Sequence, residues 1–411
     1  MNRGVFKRVL RHFLSYSINK CDLNTMVGNV NFFLRALTVN IDKRNTKPIS
    51  VISYILTIIG LICYYYVYVV SVAWYVFVHY PATGDFIGTI IMFSIGAFTE
   101  TCPIKLLFMI IHRKLIANVV ERYLRCDAQI DPGSRLHQNI QRHLRTVKKR
   151  GTTIWLTLVI IAEIHCFTPF FLPGRHFPDD NYILYGLEPM IESPNYEIAT
   201  VIITITISSA TYYVANCTAF MVMLLGYTEA QILSLSEELL NVWNDAEKET
   251  EHIDIESRSS ALNNFISERM TVIIKLHNEN ITLLKQIEGV LRVSMALEFL
   301  FLMAGLIAAL LGGIKHTYLE IPFAFAQIFM NCYLGQKIIN ASETFESAVY
   351  DCKWELFDKT NRRTVLIVLQ NSQKTLNLSA GGVAILSFQC LMSVIQSSYS
   401  FYTTLQSTLK Y

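Results

Sequence analysis

The stretch LSAGGVAILSFQCLMSVIQSSYSFYTTLQSTL, residues 378–409, decides the fold class of this chain. At 1.5 Å per residue, a helix of this length crosses the hydrocarbon of a bilayer with turns to spare. Most of the stretch is apolar, but uncharged polar residues recur at steps of mostly three or four: Gln389, Ser393, Gln396, Ser397, Ser400, Thr404 and Ser407. At about 100° per residue they fall within roughly a third of the helix circumference. The pattern predicts a membrane helix with one polar face.

This polar face has two interpretations. Serine and threonine hydroxyls commonly form hydrogen bonds between membrane helices, so the face could pack against a neighbouring helix. Such packing usually needs only one or two polar residues, and this face is much longer. A long uncharged polar face is also what a water-filled pore requires. The pattern alone leaves both interpretations open.

The composition of the 411-residue chain indicates a membrane protein. Hydrophobic residues make up 52% of the chain and charged residues only 16%, with a mean hydropathy of +0.35. A soluble domain of this size is less apolar. The nine cysteines occur singly, so neither a disulfide framework nor a zinc site is predicted. There is no phosphate loop, zinc-protease motif or nucleophile elbow, so we expect no enzyme and no cofactor.

Seven apolar segments are each long enough to cross about 30 Å of hydrocarbon as a helix. They are residues 49–77, Phe86–Ile111, 153–172, 198–225, 290–311, 321–339 and 381–409. The whole chain then divides into six parts: a cytosolic N-terminal segment (1–48), four spans (49–225), a cytosolic helical loop (226–289), two spans (290–340), a cytosolic anchor helix (341–377) and the final span (378–411). The sequence predicts an all-α membrane protein with seven transmembrane helices.

The basic residues predict the orientation of these spans. The segment 113–150 carries ten Lys or Arg residues, whereas 80–85 carries none and 173–197 carries only Arg175. Lysine and arginine are enriched in cytoplasmic loops of membrane proteins. We therefore expect a cytosolic N-terminus and, after seven crossings, an extracellular C-terminus.

Five ionisable residues lie in or near the spans: Glu100, Lys105, Glu163, His165 and Glu298. Charge inside a membrane is costly, so Glu163, His165 and Glu298 could pair with other helices or contact a ligand or an ion, whereas Glu100 and Lys105, near the cytosolic end of the second span, could also simply reach the interface. The sequence does not choose between these roles for any of the five.

The outer halves of the second to sixth spans are rich in aromatic and small residues with a few hydroxyl groups. Enclosed apolar space of this kind suits a small, neutral, apolar ligand, although ordinary helix packing has the same composition. The candidate ligand-binding residues are Ile90, Phe93, Phe167, Thr168, Thr204, Ser208, Tyr212, Ala308 and Phe323.

The C-terminal part of the chain resembles the insect odorant receptor family. The similar motifs are Cys332-Tyr333-Leu334-Gly335-Gln336, Ser342, Ala348-Val349-Tyr350, Trp354, Arg362-Arg363, Leu376-Asn377-Leu378-Ser379-Ala380-Gly381-Gly382 and Ser398-Tyr399-Ser400-Phe401, together with Ser193-Pro194-Asn195-Tyr196-Glu197 in an outer loop. The motifs are specific over about the last 80 residues. Elsewhere the resemblance consists of length, seven spans and orientation.

This resemblance implies a ligand-gated, non-selective cation channel of four subunits. In that family a tuning receptor assembles with the co-receptor Orco, in the plasma membrane of olfactory sensory neuron dendrites, and binds a small volatile odorant. The final span lines the pore, and cytosolic helices hold the subunits together. The pore-lining positions of this chain are then Gln389, Ser393, Gln396, Ser400, Thr404 and Thr408.

The positions implied for the gate distinguish the two kinds of subunit. Thr404 and Thr408 stand where the co-receptor has aliphatic residues, so the resemblance implies a tuning subunit. A G-protein-coupled receptor, a gustatory-type receptor and a transporter are the other functions considered. A transporter usually shows internal repeats and helices broken in mid-membrane, neither of which is found here.

An epitope tag at Met1 tests the predicted orientation. We expect antibody staining only after the cells are permeabilised, because the basic loops predict a cytosolic N-terminus. An antibody against a soluble cytosolic protein reports membrane integrity in the same cells. Staining of intact cells would rule out this orientation and would favour a G-protein-coupled receptor.

Overall fold

The computed structural model describes residues 22–178, 183–313, 317 and 320–409. Within these residues the regular secondary structure is helical apart from one small hairpin, which confirms the predicted all-α class. The helices are α1 (Leu23–Ala36), α2 (Val51–Thr83), α3 (Phe86–Ile111), α4 (Arg113–Ala128), α5 (Arg135–Phe171), α6 (Asn195–Glu249), α7 (Ile255–Gly312), α8 (Glu320–Tyr350), α9 (Lys359–Ser372) and α10 (Phe388–Leu409). A 3₁₀ turn, Trp354–Leu356, precedes α9, and strands β1 (Ser379–Ala380) and β2 (Ala384–Ile385) pair antiparallel before α10.

Five of these helices are long and apolar enough to cross a membrane, namely α2, α3, α5, α6 and α7. The predicted sixth and seventh spans are helical as well, in α8 and α10, but over the described residues they are less apolar. Polar residues such as Gln327, Asn331 and Gln336 lower the hydropathy of α8, and the polar face lowers that of α10. The count of seven spans stays a prediction.

The segment 226–289, predicted as a cytosolic loop, is a pair of long helices. Helix α6 has 55 residues and continues without a break to Glu249, and α7 has 58 residues and starts at Ile255. The second half of the segment, which leads into the fifth predicted span, is part of α7. The acidic first half is helical too, because its apolar residues are buried against α7, α8 and α9; the cluster includes Leu235, Leu239, Ile266, Met270, Phe345 and Val365.

The anchor segment 341–377 was predicted as one helix, and the structure contradicts this. Helix α8 ends at Tyr350, and Lys353 then adopts a left-handed conformation with φ 58°. A separate helix α9 follows, whose N-terminus is capped by the Asp358 side chain accepting a hydrogen bond from the Asn361 N–H at 2.9 Å. An aspartate at this position satisfies a free helix N–H and so starts a new helix.

The predicted final span also begins later than expected. Gly381 and Gly382 have φ angles of 66° and 78°, which belong to the left-handed region that glycine adopts without strain. The two glycines turn the chain between β1 and β2, and α10 starts only at Phe388. The helix predicted over 381–409 is therefore a hairpin followed by a helix of 22 residues.

The hairpin is fixed to α7 by backbone and side-chain hydrogen bonds. The Gly381 N–H donates to the Arg292 carbonyl at 2.9 Å. The Ser379 hydroxyl donates to the Glu288 carboxylate. Since residue 382 lies against the Arg292 guanidinium, with a Cβ there only 3.0 Å from Cζ, the turn has little room for a side chain.

The start of α10 is fixed to α8 as well. A Cβ on Gly335 would lie 2.2 Å from the Leu386 carbonyl oxygen, so only glycine permits this approach. The Phe388 N–H donates to Gln336 Oε1 at 3.1 Å. The Cys332–Gln336 motif thus contacts the residues just after the hairpin and holds the first turn of α10.

A buried ion pair joins α3 to α7. Lys105 Nζ lies 2.7 Å from Glu298 Oε1, and the two side chains are 8% and 0% exposed. The sequence left open whether these two charges pair or contact a ligand, and the structure pairs them. A buried charge without its partner is strongly destabilising, by about 3–5 kcal/mol.

Substitutions at this pair give a test of its role in stability. We expect Lys105→Met alone and Glu298→Met alone to lower the melting temperature of the detergent-solubilised protein, because Lys105→Met leaves a buried carboxylate unpaired and Glu298→Met leaves a buried ammonium unpaired. The double variant Lys105→Met/Glu298→Met should recover much of the loss, since an apolar pair of similar volume replaces both charges. If the melting temperature of the double variant falls by as much as that of a single variant, or by the sum of the two single losses, the pairing is contradicted.

Candidate functional site

A cavity of about 340 Å³ lies between α2, α3, α5, α6 and α8. Most of its lining is aliphatic or aromatic: Val67, Tyr68, Ile95, Phe98, Cys102, Leu158, Ile161, Ala162, Ile164, Pro178, Ile203, Ile207, Ala210 and Phe323. Its polar side chains are Thr99, His165, Thr168 and Thr211. Ligand pockets in proteins are mostly apolar, with a few polar groups that fix orientation, and this volume is at the small end of their range. The cavity suits a small apolar molecule with one or two polar groups.

Helix α3 is interrupted where it borders the cavity. Its two parts, Phe86–Thr99 and Thr101–Ile111, meet at Glu100. Pro103 lacks an N–H group, so the Thr99 carbonyl cannot receive its usual helical hydrogen bond. Thr99 itself lines the cavity, and the interruption therefore lies within the cavity wall.

Glycine 305 on α7 sets the position of one wall residue. A Cβ at residue 305 would lie 2.7 Å from the Phe98 ring. The missing side chain lets α7 approach α3 closely, and Phe98 is buried between the two helices while it also borders the cavity. The position of the Phe98 ring, and with it the shape of the cavity, thus depends on a contact with α7. Helix α7 itself does not line the cavity.

The loop between α5 and α6 covers one end of the helices around the cavity. In its described parts, Phe177, Leu184 and Met190 are buried against α2 and α6. The loop is fixed to α2 by two hydrogen bonds: the Tyr66 hydroxyl donates to the Tyr185 carbonyl at 2.5 Å, and the Tyr185 N–H donates to the Ser71 hydroxyl at 3.2 Å. Polar contacts with α2 therefore hold this cover in place.

Of the nine residues predicted to contact a ligand, Thr168 and Phe323 line the cavity. The other seven lie outside its lining: Ile90, Phe93, Phe167, Thr204, Ser208, Tyr212 and Ala308. Phe93 and Phe167 are about half exposed on the outside of the helices, at 47% and 55%. The Tyr212 hydroxyl donates to the Phe33 carbonyl of α1 at 3.2 Å, away from the cavity.

Most of the selected residues lie on helices that border the cavity but on other faces of them, and Ala308 lies on α7, which does not border it. On α6, Ile203 and Ile207 line it, each next to a residue that was selected, Thr204 and Ser208. On α5 the lining residues Leu158, Ile161, His165 and Thr168 are spaced by three or four, as one helix face requires. That spacing, combined with the ionisable His165, was the available signal.

The six residues predicted to line a pore are all exposed on the surface of this single chain: Gln389, Ser393, Gln396, Ser400, Thr404 and Thr408. The hydroxyl groups of Ser393, Thr404 and Thr408 donate hydrogen bonds to the backbone of α10 itself. Ser393 donates to the Gln389 carbonyl at 3.0 Å, and Thr404 donates to the Ser400 carbonyl at 2.9 Å. The polar face therefore does not bond to another helix of the same chain within its described residues.

The opposite face of α10 holds the helix to the rest of the chain. Leu391 and Val394 are buried, at 6% and 7% exposure, in the core shared with α7 and α8. Ser398, one turn further on, is buried too. Beyond this residue most described side chains of α10 are exposed on every side, including Phe401 at 58% and Leu405 at 40%.

Comparisons with known proteins identify the family to which the chain belongs. The sequence model of the 7tm Odorant receptor family matches residues 85–399. Among curated proteins, odorant receptor 10 of Aedes albopictus is 24% identical over 340 residues, which cover 79% of this chain and 85% of that protein.

The fold is also that of a solved insect receptor. The olfactory receptor OR5 of Machilis hrabei matches with a TM-score of 0.72 at 13% identity, over 93% of this chain and 98% of that one. The same receptor in complex with eugenol matches with a TM-score of 0.69. At this level of identity the similarity concerns the fold. Family members are receptors and not enzymes, and the family match spans most of the sequence. The chain is a member of the 7tm odorant receptor family.

Proposed function

We propose that this chain is the odorant-sensing subunit of a ligand-gated, non-selective cation channel. A small apolar volatile binds in the cavity between α2, α3, α5, α6 and α8, and α10 lines the pore. The observation that carries the proposal is the polar face of α10, which is exposed along the whole helix although it lies in an apolar segment. Seven transmembrane helices, a cytosolic N-terminus, assembly with Orco and a place in the plasma membrane of the sensory dendrite are parts of the same proposal.

The exposed face of α10 supports a pore shared between subunits. Lipid chains cannot form hydrogen bonds with a row of amides and hydroxyls, whereas water or other polar helices can. Four copies arranged with this face inward would enclose an uncharged polar passage. Because the lining has no fixed charge, weak selectivity among cations is expected.

The cavity supports binding of an uncharged odorant. Its lining contains no Asp, Glu, Lys or Arg within the part of the chain that the structure describes, and its titratable side chains there are Tyr68, Cys102 and His165. A charged ligand would need a buried partner of opposite sign, and none lines the cavity there. A neutral molecule with a hydroxyl or carbonyl group would find hydrogen-bond partners in Thr99, Thr168 and Thr211.

Opening follows from differential binding. A ligand shifts the balance between two conformations only by the difference in its affinity for them. The odorant therefore stabilises the arrangement in which the ends of the α10 helices have moved away from the pore axis. The hydroxyl groups of Thr404 and Thr408 make the narrowest part of the pore less apolar than aliphatic side chains would.

Filling the cavity tests the ligand site. We expect Ala162→Phe to raise the odorant concentration for half-maximal current by at least about tenfold, because the larger ring occupies space that the ligand needs. Currents are recorded from cells that also express Orco, and surface biotinylation reports the amount of protein. The matched control is Ala73→Phe, at an exposed position of α2. An unchanged response to Ala162→Phe would contradict the assignment.

Substitutions in α10 test the pore. We expect Gln396→Leu and Ser400→Leu each to alter current amplitude or ion selectivity while surface expression stays intact, since an apolar group disfavours water in the passage. Ile395→Leu, on the opposite side of the helix, is the control. Currents identical to wild type in both variants would count against a pore lined by α10.

A further inference from the structure

A single side-chain hydrogen bond connects the cavity wall of α3 to α8. The Thr101 hydroxyl donates to Gln327 Oε1 at 3.0 Å, and the two side chains are 0% and 3% exposed. Thr101 is adjacent to Cys102, which lines the cavity, and Gln327 lies one helical turn after Phe323, which also lines it. The bond is therefore next to the cavity without being part of its lining.

The position of Thr101 makes it sensitive to the cavity wall. Thr101 is the first residue after the interruption of α3 at Glu100, and Phe98 and Thr99 of the wall are immediately before that interruption. The inner part of α3 is fixed to α7 by the buried pair of Lys105 with Glu298. A ligand that displaces the outer wall residues therefore changes the backbone angle at Thr101 most directly.

Helix α8 continues from this bond to the start of α10. It is unbroken from Glu320 to Tyr350. Two turns after Gln327, the helix contacts α10: Gly335 meets the Leu386 carbonyl, and Gln336 accepts from the Phe388 N–H. The Phe329 ring also stacks on Phe388, with centroids 6.2 Å apart. A shift of α8 is therefore a shift of the first turn of α10.

Polar atoms along this part of α8 are incompletely satisfied. Gln327 Nε2 and Asn331 Nδ2, one turn apart, are buried and have no hydrogen-bond partner within the described part of the chain. Both side chains are 3% exposed. A buried donor without a partner is costly, so an arrangement of α3 and α8 that supplies partners would be favoured. Coupling between two sites needs such an element with two arrangements.

From these contacts we infer that the Thr101–Gln327 hydrogen bond transmits occupancy of the cavity to α8 and through it to the base of α10. Thr101 and Gln327 are positioning residues, since neither lines the cavity or the polar face of α10. The inference rests on the proposed channel function and names the path by which that function is regulated.

Four variants of the full chain test the inference, each expressed with Orco. Thr101→Val and Gln327→Leu remove the bond with little change in volume, the double variant removes both partners, and Thr101→Ser keeps the hydroxyl. Thr206→Val is the matched control, because Thr206 is equally buried but bonds only to the Ile202 carbonyl of its own helix. The probes are eugenol and a panel of related neutral aromatic volatiles, and the most active one in wild type is used throughout.

We expect Thr101→Val and Gln327→Leu each to change the half-maximal concentration or the maximal current by at least about fivefold, in the range of measured couplings between sites. The double variant should change it no more than the larger single change, because both substitutions break the same bond. Thr101→Ser and Thr206→Val should respond like wild type. Binding of the same odorant to the detergent-solubilised single variants should change less than the current does.

Three results would overturn the inference while leaving the channel in place: wild-type responses in both single variants, additive changes in the double variant, or a change in Thr101→Ser equal to that in Thr101→Val. Loss of surface protein in Thr101→Val and Gln327→Leu, but not in Thr206→Val, would assign the bond a purely structural role and would overturn it too. If wild type with Orco gives no odorant-evoked current with any probe, the proposed function itself fails.

Discussion

The arrangement of the helices depends on the rule that buried charge and buried polar groups must be paired. Lys105 and Glu298 illustrate it, since removal of either side chain would leave the other charge buried without its partner. Their pairing fixes the inner part of α3 on α7, and Thr101 with Gln327 fixes the same part on α8. These two contacts hold the part of α3 that adjoins the cavity wall. The outer part of α3, beyond the interruption at Glu100, has no comparable polar contact with α7 in the described residues.

The polar residues of α10 follow the opposite rule. They are not paired with the rest of the chain, and their hydroxyl groups bond to the carbonyls of their own helix. A helix can satisfy its hydroxyls in this way and still present an amide and hydroxyl surface to water. Within its described residues the chain therefore contains polar side chains of two kinds: pairs buried between helices, such as Lys105 with Glu298, and an exposed row along one face of α10.

The sequence predicted the helical class, the family and the polar face, because each depends on spacing along one helix or on local motifs. It did not predict the ends of several elements. The turn at Gly381 and Gly382 and the cap at Asp358 interrupt segments whose apolar content alone predicts one helix each, 341–377 and 381–409. Cavity residues such as Ile95 and Leu158 were missed because their role depends on which helices are neighbours. Thr101 and Gln327 are 226 positions apart, and nothing in their local sequence joins them.

The hairpin that precedes α10 has a geometric consequence. It clamps the first turn of the helix between Arg292 and Gly335, while the last two turns touch little else. A helix of 22 residues is about 33 Å long. Because the helix is held at its first turn, a tilt of roughly 5° there moves its last residue by about 3 Å. That distance is close to the diameter of a water molecule, so a tilt too small to disturb the packed core displaces the far end of the helix by about the width of one water molecule.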